Sequence, residues 1–353
     1  MVLVFRYLAS LTILLGLAAC SERGELQFSP AVSSGTLHDI WVANFRSDEL
    51  PAEGQRTPPR PTEVTFQKNV VSVPQTHQPG QIEWPDGAPD PETDFVTVSS
   101  TEIGDLNAFA ANVIASDTSG QNEIAVFVHG YNLNNAEAVY QLAQIKHDFE
   151  TPTPTVLFSW PSAGSPAGYI YDRDSALIAR DQLEKLIVAL TRRPGQKITL
   201  LGHSMGSFVI METLRQIEIS GSVDIGRKIS GTILLSPDLD GELFQAQAAS
   251  MKTLPETFVI VVARQDRALR ISGFLTGRGN SLGTQTDRSA VGDLPIDVVD
   301  VSELSIGGNE HSIGLSSPTA ISIFKQLREE NLPTENERRT VVTISELAEL
   351  VTQ

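Results

Sequence analysis

An α/β fold, a mostly parallel sheet with helices on both faces and antiparallel strands at the N-terminal side, is predicted by three features of the chain. From about residue 104 onward, short apolar runs rich in β-branched residues alternate with helical stretches of ten or more residues, which implies parallel strands joined by right-handed crossovers. The runs themselves, such as Ile124–His129 and Ile229–Leu235, are almost continuously apolar, as strands covered on both faces must be. The run Lys197–Leu201 passes straight into Gly202-His-Ser-Met-Gly206 and then into an amphipathic stretch (Phe208, Val209, Met211, Leu214, Ile217). That pattern is a sharp strand-to-helix turn carrying Ser204.

The elements follow in chain order. Residues 1–19 carry Arg6 and then the apolar run Tyr7–Ala19, short for a membrane span and suited to an export signal. Residues 20–36 are small and polar without period and are read as a tether. Strands are expected at His38–Phe45, Val64–Val73 and Phe95–Ser99, separated by proline-rich loops and pairing antiparallel at one side of the sheet. Helices and strands then alternate: a helix near Gly104–Ala115, strand Ile124–His129, helix Asn134–Phe149, strand Thr155–Trp160 and helix Arg173–Thr191, closed by Pro194-Gly195. Beyond the strand and helix around Ser204 come strand Ile229–Leu235, helix Glu242–Lys252, strand Thr257–Ala263, strand Ile296–Val301 and helix Pro318–Glu330. The main domain is therefore expected over 37–331, and 332–353 reads as an acidic, weakly helical tail.

Composition excludes several functions. A net charge of −17 argues against nucleic acid and against electrostatic attachment to anionic lipid. No phosphate-binding glycine loop appears, and no dinucleotide fingerprint. The six histidines (His38, His77, His129, His147, His203, His311) include no pair at helical metal-ligand spacing, so neither metal nor cofactor is expected.

A serine hydroxyl is a weak nucleophile near neutral pH and needs a positioned base, which needs an orienting acid. In a sheet of this kind the order is Ser, acid, His, each on a loop at a strand's carboxyl end. His311 is the one histidine after Ser204 and sits between the last strand and last helix. For the acid, Asp266 follows strand Thr257–Ala263, while Asp238 and Asp240 follow the preceding strand; both placements remain open, and Asp266 also suits a helix N-cap. Gly202 and Gly206 flank Ser204 where side chains would collide with neighbouring backbone. The Met205 N–H, first of the helix, and the Tyr131 N–H, after strand Ile124–His129 and Gly130, are the expected oxyanion donors. His129 and His203 are read as structural. Trp160 and Tyr131 are candidate pocket residues, and Ser272–Ser289 is a candidate lid.

Two resemblances extend this reading. Leu17-Ala-Ala-Cys20 resembles the bacterial lipobox, which implies cleavage before Cys20, lipid on its thiol and, with Ser21 following, anchorage in the outer membrane facing the periplasm. Two or more acyl chains suffice for a firm hold. An ordinary secretion signal is the alternative. Val128-His-Gly-Tyr-Asn132, Phe158-Ser-Trp-Pro161, Leu201-Gly-His-Ser-Met-Gly206, Ser236-Pro-Asp-Leu-Asp240 and Asp266-Arg-Ala-Leu269 together resemble the α/β-hydrolase superfamily. They are most similar to a bacterial esterase/lipase-like group without assigned substrate, whose N-terminal part Val70–Pro74, His77–Gly80 and Ile82–Pro85 also resembles. The resemblance spans roughly residues 38–331 and implies Ser204 as nucleophile, Asp266 as acid and His311 as base. It further implies a serine hydrolase acting on a small-molecule or lipid ester. Acyl transfer, thioester or peptide cleavage on the same residues, and a non-catalytic lipoprotein, remain open alternatives.

Overall fold

A computed structural model describes residues 23–29, 35–47, 49, 51–55, 57–277, 281–304, 310–329 and 341–351. The expected export signal and Cys20 therefore lie outside the described residues. The strands are β1 (Thr36–Asn44), β2 (Thr65–Val73), β3 (Val96–Ile103), β4 (Glu123–Val128), β5 (Thr155–Ser159), β6 (Lys197–His203), β7 (Ile229–Leu235), β8 (Thr257–Val262), β9 (Asp297–Asp300) and β10 (Val341–Thr343). The helices are α1 (Leu106–Ala115), α2 (Asn135–Asp148), α3 (Tyr169–Leu190), α4 (Met205–Ser220), α5 (Ile225–Lys228), α6 (Gly241–Ala249), α7 (Arg267–Thr276), α8 (Ile313–Ser316), α9 (Pro318–Glu329) and α10 (Ile344–Val351).

All ten strands form one sheet in the order β10-β9-β8-β7-β6-β4-β5-β1-β2-β3. From β10 to β1 every pairing is parallel, and β2 and β3 add on antiparallel. This is the α/β-hydrolase fold. The apolar runs explain it: along β4, Ile124, Val126 and Val128 point into one core while Phe127 points into the other, all at most 1% exposed. Helices α1, α3, α4 and α6 cover the first face, and α2, α9 and α10 cover the second.

β4 is followed by its neighbour β5, and the chain then crosses back so that β6 lies on β4's other side. The connection direction thus reverses between β4 and β6, and in open sheets of this kind ligands bind outside the carboxyl ends of the strands at such a reversal. In-register pairing of Val128 with Gly202 and of His203 with Leu235 brings the ends of β4, β6 and β7 to one rim.

Described residues on either side of the expected main domain pack against it, and one strand runs longer than expected. Residues 23–29, expected within the tether, are docked: Thr97 N–H donates to Gln27 O at 2.7 Å, and Arg23 pairs with Glu137 at 2.5 Å. The described part of the C-terminal segment packs on the domain as well. Residues 341–343 form the edge strand β10, and α10 buries Ile344 and Leu347 in the second core. The helix is only eight residues long, too short for isolated helix formation to be strong, so the sequence alone shows a weak helix. β3 runs to Ile103, beyond the expected Ser99, because an edge strand needs no apolar outer half.

Candidate active site

Ser204 sits between β6 and α4 at φ 53°, ψ −121°, a conformation costing a non-glycine residue roughly 1–3 kcal/mol. Three backbone bonds hold it there: Ser204 N–H to Leu235 O at 2.9 Å, Ser207 N–H to Ser204 O at 3.0 Å and Asp238 N–H to Ser204 O at 3.2 Å. Both flanking glycines are required by contact. A Cβ on Gly206 would stand 2.2 Å from Val128 O, and one on Gly202 would stand 2.9 Å from the Ser207 backbone. Helix α4 is thereby pressed onto the end of β4 with Ser204 at its head.

His311 lies in a 3₁₀ turn, Glu310–Ser312, after β9. Its Nδ1–H donates to Asp266 Oδ2 at 2.7 Å. Asp266 is fully buried, and its other oxygen accepts from Leu269 N–H at 3.0 Å, capping α7. One carboxylate therefore caps a helix and fixes an imidazole. His203 ties this pair to the elbow: its Nε2–H donates to His311 O at 3.1 Å, and the two rings lie 4.8 Å apart. Burial, and then the His311 ring, push the His203 imidazole down to about 4, so it stays neutral as a donor. Among the described residues, the Ser204 hydroxyl is not hydrogen-bonded to His311.

The loop after β4 runs beside the serine. A Cβ on Gly130 would meet His203 Nδ1 at 2.8 Å and Ser204 Cβ at 3.2 Å, so glycine is what lets the 130–131 backbone approach. Asn132, at φ 59°, completes the turn. Behind it, His129 is stacked on Trp160 with ring centres 5.3 Å apart, and the Trp160 Nε1–H donates to His129 O at 2.8 Å. Burial pushes the His129 imidazole down to about 3. Asp172 secures the next layer by accepting from Ser162 Oγ–H and Ala163 N–H, each at 2.6 Å. Its burial lifts the carboxyl to about 6.

A family model described as an alpha/beta hydrolase of unknown function, DUF900, matches residues 107–328. The chain belongs to that family. Among curated proteins, an uncharacterized protein of Nostoc sp., alr1448, is 38% identical over 61 residues, 17% of this chain and 16% of that protein. The match thus spans under a fifth of that relative's length. Among solved structures, the dienelactone hydrolase of Anabaena variabilis is 11% identical, covering 75% of this chain and 90% of that one at a TM-score of 0.37. The carboxylesterase EstE1 from a metagenomic library is 11% identical, covering 86% and 92% at a TM-score of 0.34. At these scores neither bears on what the chain acts on.

The remaining expected residues of this α/β-hydrolase family member separate clearly. Asp238 is buried and accepts hydroxyl bonds from Tyr169 and Ser272, each at 2.9 Å. Asp240 caps α6 through Glu242 N–H and Leu243 N–H. Neither is bonded to His311, which Asp266 holds. Trp160 is fully buried and props the loop after β4 instead of lining a pocket, which corrects the expectation for it. Tyr131 is partly exposed at the rim, its ring 5.5 Å from that of Tyr169. Of the candidate lid, residues 278–280 lie outside the described residues, while 281–284 are docked on the loop after β7 through Leu282 N–H to Leu239 O at 2.8 Å and Gly283 N–H to Pro237 O at 3.1 Å. The His203 link and the Tyr169–Asp238–Ser272 cluster were missed by sequence reasoning. Their partners are distant along the chain, and no local pattern marks them.

Proposed function

We propose that this chain is a serine hydrolase that cleaves carboxylic esters through an acyl-enzyme. The observation that carries the reading is the Asp266–His311 hydrogen bond, tied through His203 to the strained Ser204 turn. Asp266 fixes the imidazole with its proton on Nδ1, leaving the Nε2 lone pair to take the Ser204 proton as Oγ attacks the ester carbonyl. Catalytic contacts of this kind commonly tighten only when substrate binds. The carbonyl π electrons move onto oxygen, and the resulting oxyanion is received by the Met205 and Tyr131 N–H groups, each such donor contributing about 2.7–4 kcal/mol. Collapse expels the alcohol, which takes the proton from His311 Nε2. Water, deprotonated by the same nitrogen, then releases the acid and restores Ser204.

The same machinery passes an acyl group to another acceptor, and product analysis with a competing alcohol or amine separates that route from hydrolysis. The test of the core reading is labelling with a fluorophosphonate probe. Stoichiometric labelling of the protein, lost in Ser204→Ala, is expected; folded protein that takes no label overturns it. We further propose that Cys20, in Leu17-Ala-Ala-Cys20, carries the lipid anchor and that the domain faces the periplasm from the outer membrane. The mass of the mature N-terminus tests this: an unmodified Cys20, or a chain still bearing residues 1–19, rules it out.

A further inference from the structure

On the second face of the sheet, three histidines, His38, His77 and His147, gather at the foot of α2. One ring nitrogen each from His77 and His147 and one carboxylate oxygen of Asp148 lie within 4.8 Å of one another. His77 comes from the proline-rich loop after β2, and His147 and Asp148 from the last turn of α2. The His77 and Asp148 side chains are only 4% and 2% exposed. We propose that His77, His147 and Asp148 form a binding site for a divalent cation of the zinc class.

Each donor is already steered by a partner outside the trio. His77 gives its Nδ1 to Glu83 Oε2 at 2.8 Å, which turns Nε2 toward Asp148 Oδ1, also at 2.8 Å. His147 has its Nδ1 on His38 Nε2 at 3.0 Å, which leaves Nε2 as its ligand atom. Asp148 has its Oδ2 held by Gly80 N–H at 2.7 Å and by Gln144 Nε2–H at 2.5 Å, freeing Oδ1 as ligand. Carboxylate and imidazole partners on the far side of ligating histidines are what fix ring orientation in metal centres. Two imidazoles and one carboxylate suit zinc, whose ligand bonds of about 2.0–2.2 Å leave a fourth tetrahedral position for water. The cation replaces the single proton between His77 Nε2 and Asp148 Oδ1, which passes to solvent.

The location gives the site a role. Gln144 Nε2 also donates to Leu315 O at 3.1 Å, and the Gly80 Cα packs on the Ser316 backbone so tightly that a Cβ would stand 2.0 Å from Ser316 O. The cation would thus clamp the 77–83 loop and the foot of α2 onto α8, which begins two residues after His311. It is a structural clamp on the segment carrying His311 and takes no part in the reaction.

The test is metal uptake by the full-length protein after chelator treatment. One equivalent of cobalt(II), with the visible absorption of low-coordinate N/O ligation, displaced by zinc(II), is expected. His147→Gln should abolish uptake, and Glu83→Gln should weaken zinc binding by about 10- to 100-fold. Should His147→Gln fail to fold, the wild-type protein decides alone: its unfolding midpoint should rise with zinc and not with magnesium. No stoichiometric uptake by folded wild type, or uptake unchanged in both variants, overturns the proposal. Because uptake is read by absorbance, loss of Ser204 labelling does not mimic this failure.

Discussion

His311 Nδ1 lies 2.7 Å from Asp266 Oδ2, while the other oxygen of the same carboxylate caps α7 at Leu269 N–H. The two roles are separable. Asp266→Asn keeps an oxygen for the cap but loses the anion and the fixed tautomer, so ester turnover should fall by about 10⁴-fold with the melting point nearly unchanged. Asp266→Ala removes the cap as well and should cost a further 0.5–2 kcal/mol or so of stability. Turnover of an activated ester beside a thermal melt checks both, and an Asn variant of near-wild-type activity refutes the role.

Asp238 gives the opposite signature. Its carboxylate receives two hydroxyls, from Tyr169 and Ser272, and asparagine can satisfy only one of them at its single oxygen. Asp238→Asn should lose about 1–3 kcal/mol of stability and retain activity per folded molecule within tenfold. If it abolishes turnover while Asp266→Asn does not, the acid is Asp238.

Gly130 lies close against both His203 and Ser204. Its Cβ would meet His203 Nδ1 at 2.8 Å and Ser204 Cβ at 3.2 Å. Gly130→Ala should destabilise by about 1–3 kcal/mol, as overpacking does, and displace the 130–131 backbone from the oxyanion. The expected kinetic result is a lower kcat with little change in KM. A variant equal to wild type in both removes the argument for close approach.

The buried His129 and His203 predict acid lability. Their imidazoles are pushed from 6.5 down to about 3 and about 4 by burial, whereas in the unfolded chain they protonate near 6.5. Above that pH neither state binds the proton and there is no penalty. Below it the unfolded chain binds more protons than the native one, so stability falls as pH falls through 6.5 toward 4, by up to about 1.4 kcal/mol per pH unit for each group. Urea midpoints measured across this range should show the slope, and His203→Gln should flatten it. An identical slope in that variant contradicts the assignment.

The C-terminal strand and helix predict a cost of truncation. Ile344 and Leu347 are buried against the second face, and fully burying such side chains is worth about 1.5–3 kcal/mol each. Deleting 341–353 should lower the unfolding midpoint while leaving Ser204 labelling intact in folded protein. A truncated chain as stable as the whole would show that α10 contributes nothing.

Much was legible beforehand because it is local. A strand buried on both faces must be apolar along its length, so β4, β6, β7 and β8 announced themselves. Gly202, Ser204 and Gly206 stand within five residues of one another, although only the Gly202 clash, with the Ser207 backbone, is local and that of Gly206 is with Val128 O on β4, and His311 stands alone after the serine. Choosing Asp266 over Asp238 and Asp240 was different. All three are aspartates on loops after neighbouring strands, and only the folded chain shows which carboxylate faces the imidazole. The docking of 23–29, the edge strand β10 and the burial of Trp160 were hidden for the same reason. The sequence alone determined which elements form and which residue types stand at their ends, since periodicity and sterics act over a few residues. The tertiary structure alone decided the reversal between β4 and β6, the His203 tie to His311 and the meeting of His77 with His147 and Asp148. Those depend on strand order and on hydrogen bonds across scores of residues, about which neighbouring side chains carry no information.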